Sequence, residues 1–242
     1  MAEVDPSRYP LALPHDPLRE IAPDLFFAPG AFDVAPLMRV SRNMVVVRNG
    51  EDLTLVNPIR LSPQGEADLE ALGKVRHAVR LGFFHGADDA YTVARFGAEF
   101  WCQARSTHHS QPAPDHELRE GGPTPLPDAE IVEFRESKRP ECVMLLQRGD
   151  GVLLTCDALQ YYGTLERHSI IARLAMPLMG FRKRLMIGPL WLKYMTKEGG
   201  SMRPDFERLA SLDFDALIAA HGIPLMSGAK AALRAAIDYA YR

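Results

Sequence analysis

Two pairs of short apolar segments, each joined by a glycine-containing turn, constrain the fold most strongly. In the first pair, "NMVVV" and "DLTLV" are joined by "RNGE", whose Asn49-Gly50 suits the positive backbone angles of a tight hairpin. In the second pair, "ECVMLLQ" and "GVLLTCD" are joined through Gly149-Asp150-Gly151. A more helical stretch follows each pair. We therefore expect an α/β protein built around two hairpins.

The segments after the first hairpin predict helices and a further strand. "SPQGEADLEALG" predicts a helix with Ser62 as its N-cap, and "VRHAVRLGFF" predicts a strand. From Asp89, "DAYTVARFGAEFW" places apolar residues as far as Phe100 and Trp101 on one helical face. This helix should pack on a sheet.

The C-terminal half predicts a long loop, a strand and a helix. Residues 105–128 are rich in proline and polar residues, and they include His108-His109. That histidine pair could bind a metal, but a solvated loop is the simpler interpretation because no acid or cysteine has a suitable spacing. "FDALIAAHG" is typical of a buried strand that stops at His221-Gly222, and "SGAKAALRAAIDYAYR" predicts a helix capped by Ser227.

Length and composition favour one ordinary globular domain. With 242 residues, 47% of them hydrophobic, the chain can bury a substantial core. A net charge of -3 makes nucleic acid a poor candidate partner. We predict a single domain over residues 1–242, with residues 1–40 as an N-terminal extension and residues 160–205 as a helical insertion.

Cysteine usage and the distribution of apolar residues predict a cytoplasmic protein. The three cysteines are widely spaced and suggest neither a disulfide framework nor a zinc ribbon. The proline-rich N-terminus lacks the apolar core of a secretory signal.

The most apolar stretch, residues 170–195, is interrupted by prolines and basic residues, so it should not span a bilayer. Residues 176–195 could instead form a lid, an apolar ligand wall or a helix in peripheral contact with a membrane surface. The alternative is a helical insertion packed on the core, with Arg182, Lys183 and Arg184 in water.

Acids and histidines follow three of the predicted strands. His85, with Asp88 and Asp89, follows "VRLGFF", Asp157 follows "VLLTC", and His221 follows "LIAA". Side chains at the strand ends of a helix-covered sheet can converge on one pocket, and mixed imidazole and carboxylate ligands suit zinc, iron or manganese.

In this order the segments resemble the metallo-β-lactamase fold superfamily, from about Asn43 to the end of the chain. "MVVVRNGEDLTLVNPIRLS" is similar to its opening hairpin, and "VRLGFFHGADDAY" to the strand that carries its His-x-His-x-Asp-His motif. "GDGVLLTCDAL" and "LIAAHGIPL" are similar to its second hairpin and its last histidine strand. "LGKVRHAV" and "AAHGIPLMSGAKAAL" further resemble an uncharacterised branch of that superfamily. The resemblance implies a four-layer αββα sandwich with a pocket at one edge.

Carried over residue by residue, the resemblance predicts a degenerate metal site. The first histidine and the aspartate of the motif fall on His85 and Asp89, but its second and third histidines fall on Ala87 and Ala90. The histidine expected before the second hairpin falls near Lys138, an ammonium that cannot ligate while charged.

The metal-bridging aspartate falls on Asp157, and the last histidine on His221. The family's arrangement has two metal positions, one of them held mainly by histidines. Here that position keeps only His85 and the bridging ligand Asp157, so we expect it to be empty. The other position would keep Asp89, Asp157 and His221, enough for one zinc, manganese or iron ion. The alternative is that the site binds no metal at all.

Two functions follow from this prediction. The first is a protein without dinuclear hydrolase activity. It would bind a small ligand or a partner in a residual pocket lined by Ala87, Ala90 and Lys138, with residues 176–195 as a further wall.

The alternative is a mononuclear metal-dependent hydrolase of an ester, lactone or phosphoester. Asp89, Asp157 and His221 would hold its metal, and His85 would be a further ligand or a proton carrier. Lys138 would mimic a missing cation or anchor an anionic ligand.

Each of these residues also has a simpler structural interpretation. Asp88 and Asp89 suit a helix N-terminus, where carboxylates interact favourably with free amide groups. Asp157 could cap the turn after its strand, and His221 could simply pack before Gly222. Cys156 could be a nucleophile, but a small buried hydrophobe is the more common role.

Overall fold

The computed structural model describes residues 4–106 and 112–242. Within these ranges the strands are β1 (Arg19–Ala22), β2 (Leu25–Ala35), β3 (Met38–Asn49), β4 (Asp52–Val56), β5 (Lys74–Arg80), β6 (Glu99–Cys102), β7 (His116–Glu117), β8 (Ala129–Glu133), β9 (Cys142–Leu146), β10 (Val152–Thr155), β11 (Leu159–Tyr161), β12 (Leu185–Ile187) and β13 (Ala216–Ala219). The helices are α1 (Pro63–Leu72), α2 (Asp89–Phe96), α3 (Ile170–Leu178), α4 (Pro189–Met195), α5 (Arg203–Ser211) and α6 (Ala229–Ala240).

The described strands form two main sheets and a small one. The larger main sheet has the order β1-β2-β3-β4-β5-β6-β7, antiparallel as far as β4 and parallel from β4 to β7. The smaller main sheet has the order β13-β10-β9-β8, with only the β10–β13 pair parallel. β11 and β12 pair separately.

Side-chain alternation along the strands builds four layers. In β3, Val45 belongs to the core between the two main sheets, whereas its neighbour Val46 belongs to the core shared with Leu69 of α1. In β10, Leu154 faces the other main sheet, while Leu153 packs in the core with residues of α5 and α6. Successive strand residues point to opposite faces, so each main sheet is apolar on both sides and needs a helical cover. The αββα sandwich is confirmed.

Both predicted hairpins are present. β3 pairs with β4 across Gly50, and β9 pairs with β10 across Gly149 and Gly151. All three glycines have positive φ, which L side chains rarely adopt. Ser62 caps α1 by accepting a hydrogen bond from the N–H of Gly65.

Two local predictions were wrong. α2 ends at Phe96 because Gly97 adopts the left-handed conformation, with φ 64°. Phe100 and Trp101 then lie in β6, paired with β5, instead of on the helix. At the last helix, Gly228 is the N-cap and its N–H donates to Asp215, so Ser227 does not cap α6.

The N-terminal and inserted segments both contribute to the fold. Residues 1–40, expected as an extension, contain β1 and β2, and β2 pairs with β3 along almost its whole length. The predicted insertion 160–205 contains α3, β12 and α4. α3 and β12 pack through Met176 and Met186. α4 packs through Trp191 and Met195 in the core that it shares with α5 and α6. Among the described residues, no helix is long and apolar enough to cross a bilayer.

Candidate metal centre

Three side chains from three strand ends converge at one edge of the sandwich. His85 follows β5, Asp157 follows β10 and His221 follows β13. His221 Nε2 lies 3.0 Å from Asp157 Oδ1 and 3.2 Å from His85 Nε2. His85 Nε2 lies 3.5 Å from Asp157 Oδ2. All three ligand atoms lie within 4.8 Å of one another, close enough to bind one metal ion.

A backbone carbonyl determines which nitrogen of His221 can ligate. His221 Nδ1 lies 2.6 Å from the carbonyl oxygen of Ser41, which can only accept a hydrogen bond. Nδ1 therefore carries the proton, and in the neutral ring Nε2 presents its lone pair to Asp157 and His85. The Nε2 atoms of His85 and His221 and the Asp157 carboxylate then face one point, where a shared proton or a metal ion makes the arrangement favourable. This donor set fits a metal, and a carbonyl behind a ligating imidazole is the usual supporting arrangement.

Burial and neighbouring groups keep Asp157 and His85 in forms that can ligate. Burial alone would raise the pKa of Asp157, but when His85 and His221 carry a proton on Nε2, their charge and hydrogen bonds outweigh burial and hold that pKa well below its usual range. Burial lowers the pKa of His85 to about 4, although the negative charge of Asp157 acts to raise it. At neutral pH the centre therefore combines a carboxylate with a neutral His85 imidazole.

A second group of residues holds the strand ends in place. Asn43 in β3 donates from Nδ2 to the carbonyls of Ala219 and Gly222, on either side of His221. Ser41 Oγ accepts from the N–H of Gly222. These contacts join the two main sheets at the site, so His221 is fixed by both of them.

Glu141 is a buried acid at the site that sequence reasoning missed. Its Oε1 accepts hydrogen bonds from the N–H groups of Asp157 and Ala158, at 3.1 and 2.9 Å. Burial raises its pKa to about 8, and the charge of Asp157 adds to this effect. The signal available in the sequence was a lone acid directly before the apolar run "CVMLL".

Asp89, predicted as a ligand, lies outside the group of converging ligands. Its Oδ2 is 3.1 Å from Arg80 Nη1, and both side chains are almost completely buried. Asp88 is similarly paired with Arg42, at 3.3 Å. Arg80 also donates to the carbonyls of His85 and Ser106. The Arg80–Asp89 pair thus holds the loop that carries His85.

The other predicted site residues have different surroundings. Lys138 is exposed, and its backbone N–H donates to the carbonyl of Met195 at the end of α4. Cys156 is fully buried, and burial raises the pKa of its thiol well above the usual value, as expected of a core residue and not of a nucleophile. His108 and His109 lie outside the described residues.

An apolar cleft of about 400 Å³ opens over the centre. Asp157 and His221 lie among its lining residues, whereas Ala87, Ala90 and Lys138 do not. Its walls come from the end of β2, the start of β3 and the inserted helices, and they include Val34, Val40, Met176, Phe181, Trp191 and Tyr194. The expectation that residues 176–195 contribute to the pocket agrees with this placement. A few polar groups at the base of an apolar cleft are typical of a small-molecule site.

Comparisons with known proteins reveal similarity in structure alone. No family model and no curated protein matches the sequence. The chain is similar to the crystal structure of VMB-1, with 11% identity, a TM-score of 0.68, and coverage of 96% of this chain and 99% of that one.

Two further matches have comparable coverage. The metallo-β-lactamase FIM-1 from Pseudomonas aeruginosa, in its mono-zinc form, has 12% identity, a TM-score of 0.64 and coverage of 96% and 98%. A metallo-β-lactamase from Erythrobacter litoralis has 14% identity, a TM-score of 0.60 and coverage of 92% and 91%. At such low identity the matches establish the fold and leave the activity open.

Proposed function

Because the chain has the metallo-β-lactamase fold, we propose that it binds one metal ion through His85, Asp157 and His221 and hydrolyses an apolar ester or lactone. The observation that carries this proposal is the lone pair of His221 Nε2, which the Ser41 carbonyl directs toward Asp157 and His85. Two imidazoles and a carboxylate suit zinc, iron or manganese. When bound, such an ion supplies Lewis-acid chemistry, in which it polarises a carbonyl and acidifies water.

The proposed site is degenerate in the sense that it holds one metal and not two. Asp89, the remaining motif ligand for a second ion, is paired with the guanidinium of Arg80. Arg42 adds a second buried positive charge next to Asp88. A divalent cation beside these two guanidinium groups would be repelled, and the alanines at positions 87 and 90 offer no ligand. This ligand set replaces the sequence-based one, because His85 takes the place of Asp89.

The chain's own residues would bind and orient the substrate. The apolar walls of the cleft bury an acyl or alkyl group and exclude water from it. Glu141 fixes the backbone at Asp157 and Ala158, so the carboxylate at the base of the cleft keeps its direction. Tyr162 and Gln160, which are hydrogen-bonded to each other, supply polar groups close to the base.

A non-hydrolytic binding protein is the second candidate, favoured by the lining of the cleft. Most of the lining side chains are apolar, and Lys138 does not reach the cleft. We also propose a cytoplasmic location, consistent with three free, buried cysteines.

Metal content and esterase activity test the proposal together. Protein purified without a polyhistidine tag or chelator, then incubated with zinc, manganese or iron, should contain about one metal ion per chain. Asp157→Asn should contain none. p-Nitrophenyl esters of increasing acyl length should be cleaved with rising kcat/KM as the chain fills the cleft, and only by the loaded protein.

The outcomes separate the two candidates. Metal binding without hydrolysis of any ester would leave the binding protein as the function. Absence of metal under every condition would overturn the proposed centre. Equal metal content in the wild type and Asp157→Asn would show that the ion binds elsewhere.

A further inference from the structure

α3 exposes an unusually apolar face to solvent. Ile170, Leu174 and Leu178 recur every fourth residue and are 75%, 70% and 90% exposed. The opposite face of the helix buries Ala172 and Met176. Single exposed leucines are common on soluble proteins, but a row of three along one helix face is not explained by the packing of this chain.

The tip of the β2–β3 hairpin extends this apolar surface. Leu37 is 80% exposed, and its carbonyl accepts a hydrogen bond from Ser169 Oγ at the N-terminus of α3. The N–H of Ser169 in turn donates to the carbonyl of Arg39. The hairpin tip and the helix are thus tied together, and we refer to Leu37, Ile170, Leu174 and Leu178 as the α3 face.

The residues around the α3 face are basic. Between Ile170 and Met195 the sequence contains Arg173, Arg182, Lys183, Arg184 and Lys193 and no acid, although the whole chain has a net charge of -3. Arg173, Arg182 and Lys183 are exposed. The nearby Asp33 is already neutralised by Arg39, which binds both of its carboxylate oxygens. Glu166, four residues before α3, is exposed and adds one negative charge, but Arg173, Arg182 and Lys183 outnumber it, so the charge at this surface is locally positive.

We propose that the α3 face docks on a bilayer that contains anionic lipids. Apolar side chains surrounded by lysine and arginine are the composition of helices that lie in a membrane interface. Each basic residue near an anionic surface strengthens binding by about fivefold. A symmetric dimer through the same face is less favourable, because it brings the exposed basic residues of the two copies close together.

Docking would place the mouth of the cleft at the lipid surface. Met179 and Tyr194 line the cleft and are also exposed, so the cleft rim is continuous with the outer surface of the insertion. An apolar ligand could pass from the bilayer into the cleft without crossing water. This inference does not require the metal centre, and the binding measurement below is independent of activity.

Sedimentation with vesicles tests the proposal. The full-length protein should pellet with phosphatidylcholine vesicles that contain phosphatidylglycerol, and at least about tenfold less with phosphatidylcholine alone. Leu174→Gln/Leu178→Gln should reduce the partition coefficient by about tenfold or more, since both side chains leave the interface. Leu11→Gln is the matched control for an exposed leucine elsewhere, at 79% exposure, and should bind like the wild type.

A second pair of variants tests the charge. Lys183→Gln should weaken binding to anionic vesicles, whereas Lys74→Gln, an exposed lysine at the start of β5, should not. Equal binding of the Leu174→Gln/Leu178→Gln variant and the wild type would overturn the proposal. Absence of vesicle binding by the wild type would also overturn it. If the wild type then formed a dimer that the double substitution abolished, the α3 face would be a dimer interface instead.

Discussion

His221 Nδ1 lies 2.6 Å from the carbonyl oxygen of Ser41, and this contact turns the ligating nitrogen of His221 toward Asp157. Ser41 lies in β3 of the larger sheet, whereas His221 follows β13 of the smaller one. The orientation of the imidazole therefore depends on how the two sheets pack. A correctly folded sandwich preorganises the ligand.

Replacement of His221 by glutamine should abolish tight metal binding. The glutamine side chain has no imidazole lone pair, and two remaining ligands are too few for a stable site. Zinc should raise the melting temperature of the wild type, because it binds only the folded state, and should leave that of His221→Gln unchanged. Thermal unfolding with and without zinc measures both. An equal zinc-induced rise in the two proteins would contradict the assignment.

Asp89→Asn should retain the metal, because Asp89 binds Arg80 and is not one of the converging ligands. Metal analysis of the purified variant checks this, with Asp157→Asn as the metal-free reference. Loss of metal in Asp89→Asn, with an intact fold, would restore Asp89 as a ligand.

Asp89 should also make stability depend on pH. Burial raises its pKa from 3.8 to about 6, although the positive charges of Arg80 and Arg42 act to lower it. The folded state then binds a proton that the unfolded state does not, so stability from this group rises as pH falls from about 6 to about 4. The free energy of unfolding of the wild type, relative to Asp89→Asn, should increase by roughly 2 kcal/mol between pH 7 and pH 4. Urea titrations across this range measure it, and a constant difference would contradict the shift.

Removal of the Glu141 carboxyl group should loosen the centre. Glu141→Leu leaves the buried N–H groups of Asp157 and Ala158 without their acceptor and should cost about 2–4 kcal/mol of unfolding free energy. Metal affinity should fall by about 10–100-fold, as for other residues that orient a ligand. Glu141→Gln keeps a carbonyl acceptor and should lie closer to the wild type in both urea titration and zinc titration. The reverse order of the two variants would count against a positioning role.

A bulky residue in the cleft should block apolar ligands. Val40 lines the cleft, and Val40→Trp would fill part of its volume of about 400 Å³. Affinity for the apolar dye 8-anilinonaphthalene-1-sulfonate, followed by fluorescence, should fall by about tenfold or more. Ala87→Trp is the control, since Ala87 lies outside this cleft. If only Ala87→Trp weakened dye binding, the ligand site would be the one expected from the sequence.

The sequence by itself determined the local elements and the order of the chemistry along the chain. Glycine turns and alternating apolar residues are local signals, so both hairpins and the strands that precede His85, Asp157 and His221 could be predicted. The helix from Asp89 was predicted too long, because Phe100 and Trp101 fit a helical face as well as a strand. Only pairing with β5 resolves that choice.

Only the tertiary structure decided which of the candidate residues meet. Asp89 follows His85 by four residues and was an equally good ligand in the sequence, yet Arg80 from β5 binds it. The apolar cleft likewise needs walls from β2, β3 and the inserted helices, which are far apart in the chain. The physical reason is that charge pairing and cavity formation depend on distances between distant segments, and these distances exist only after the two sheets and the insertion have packed.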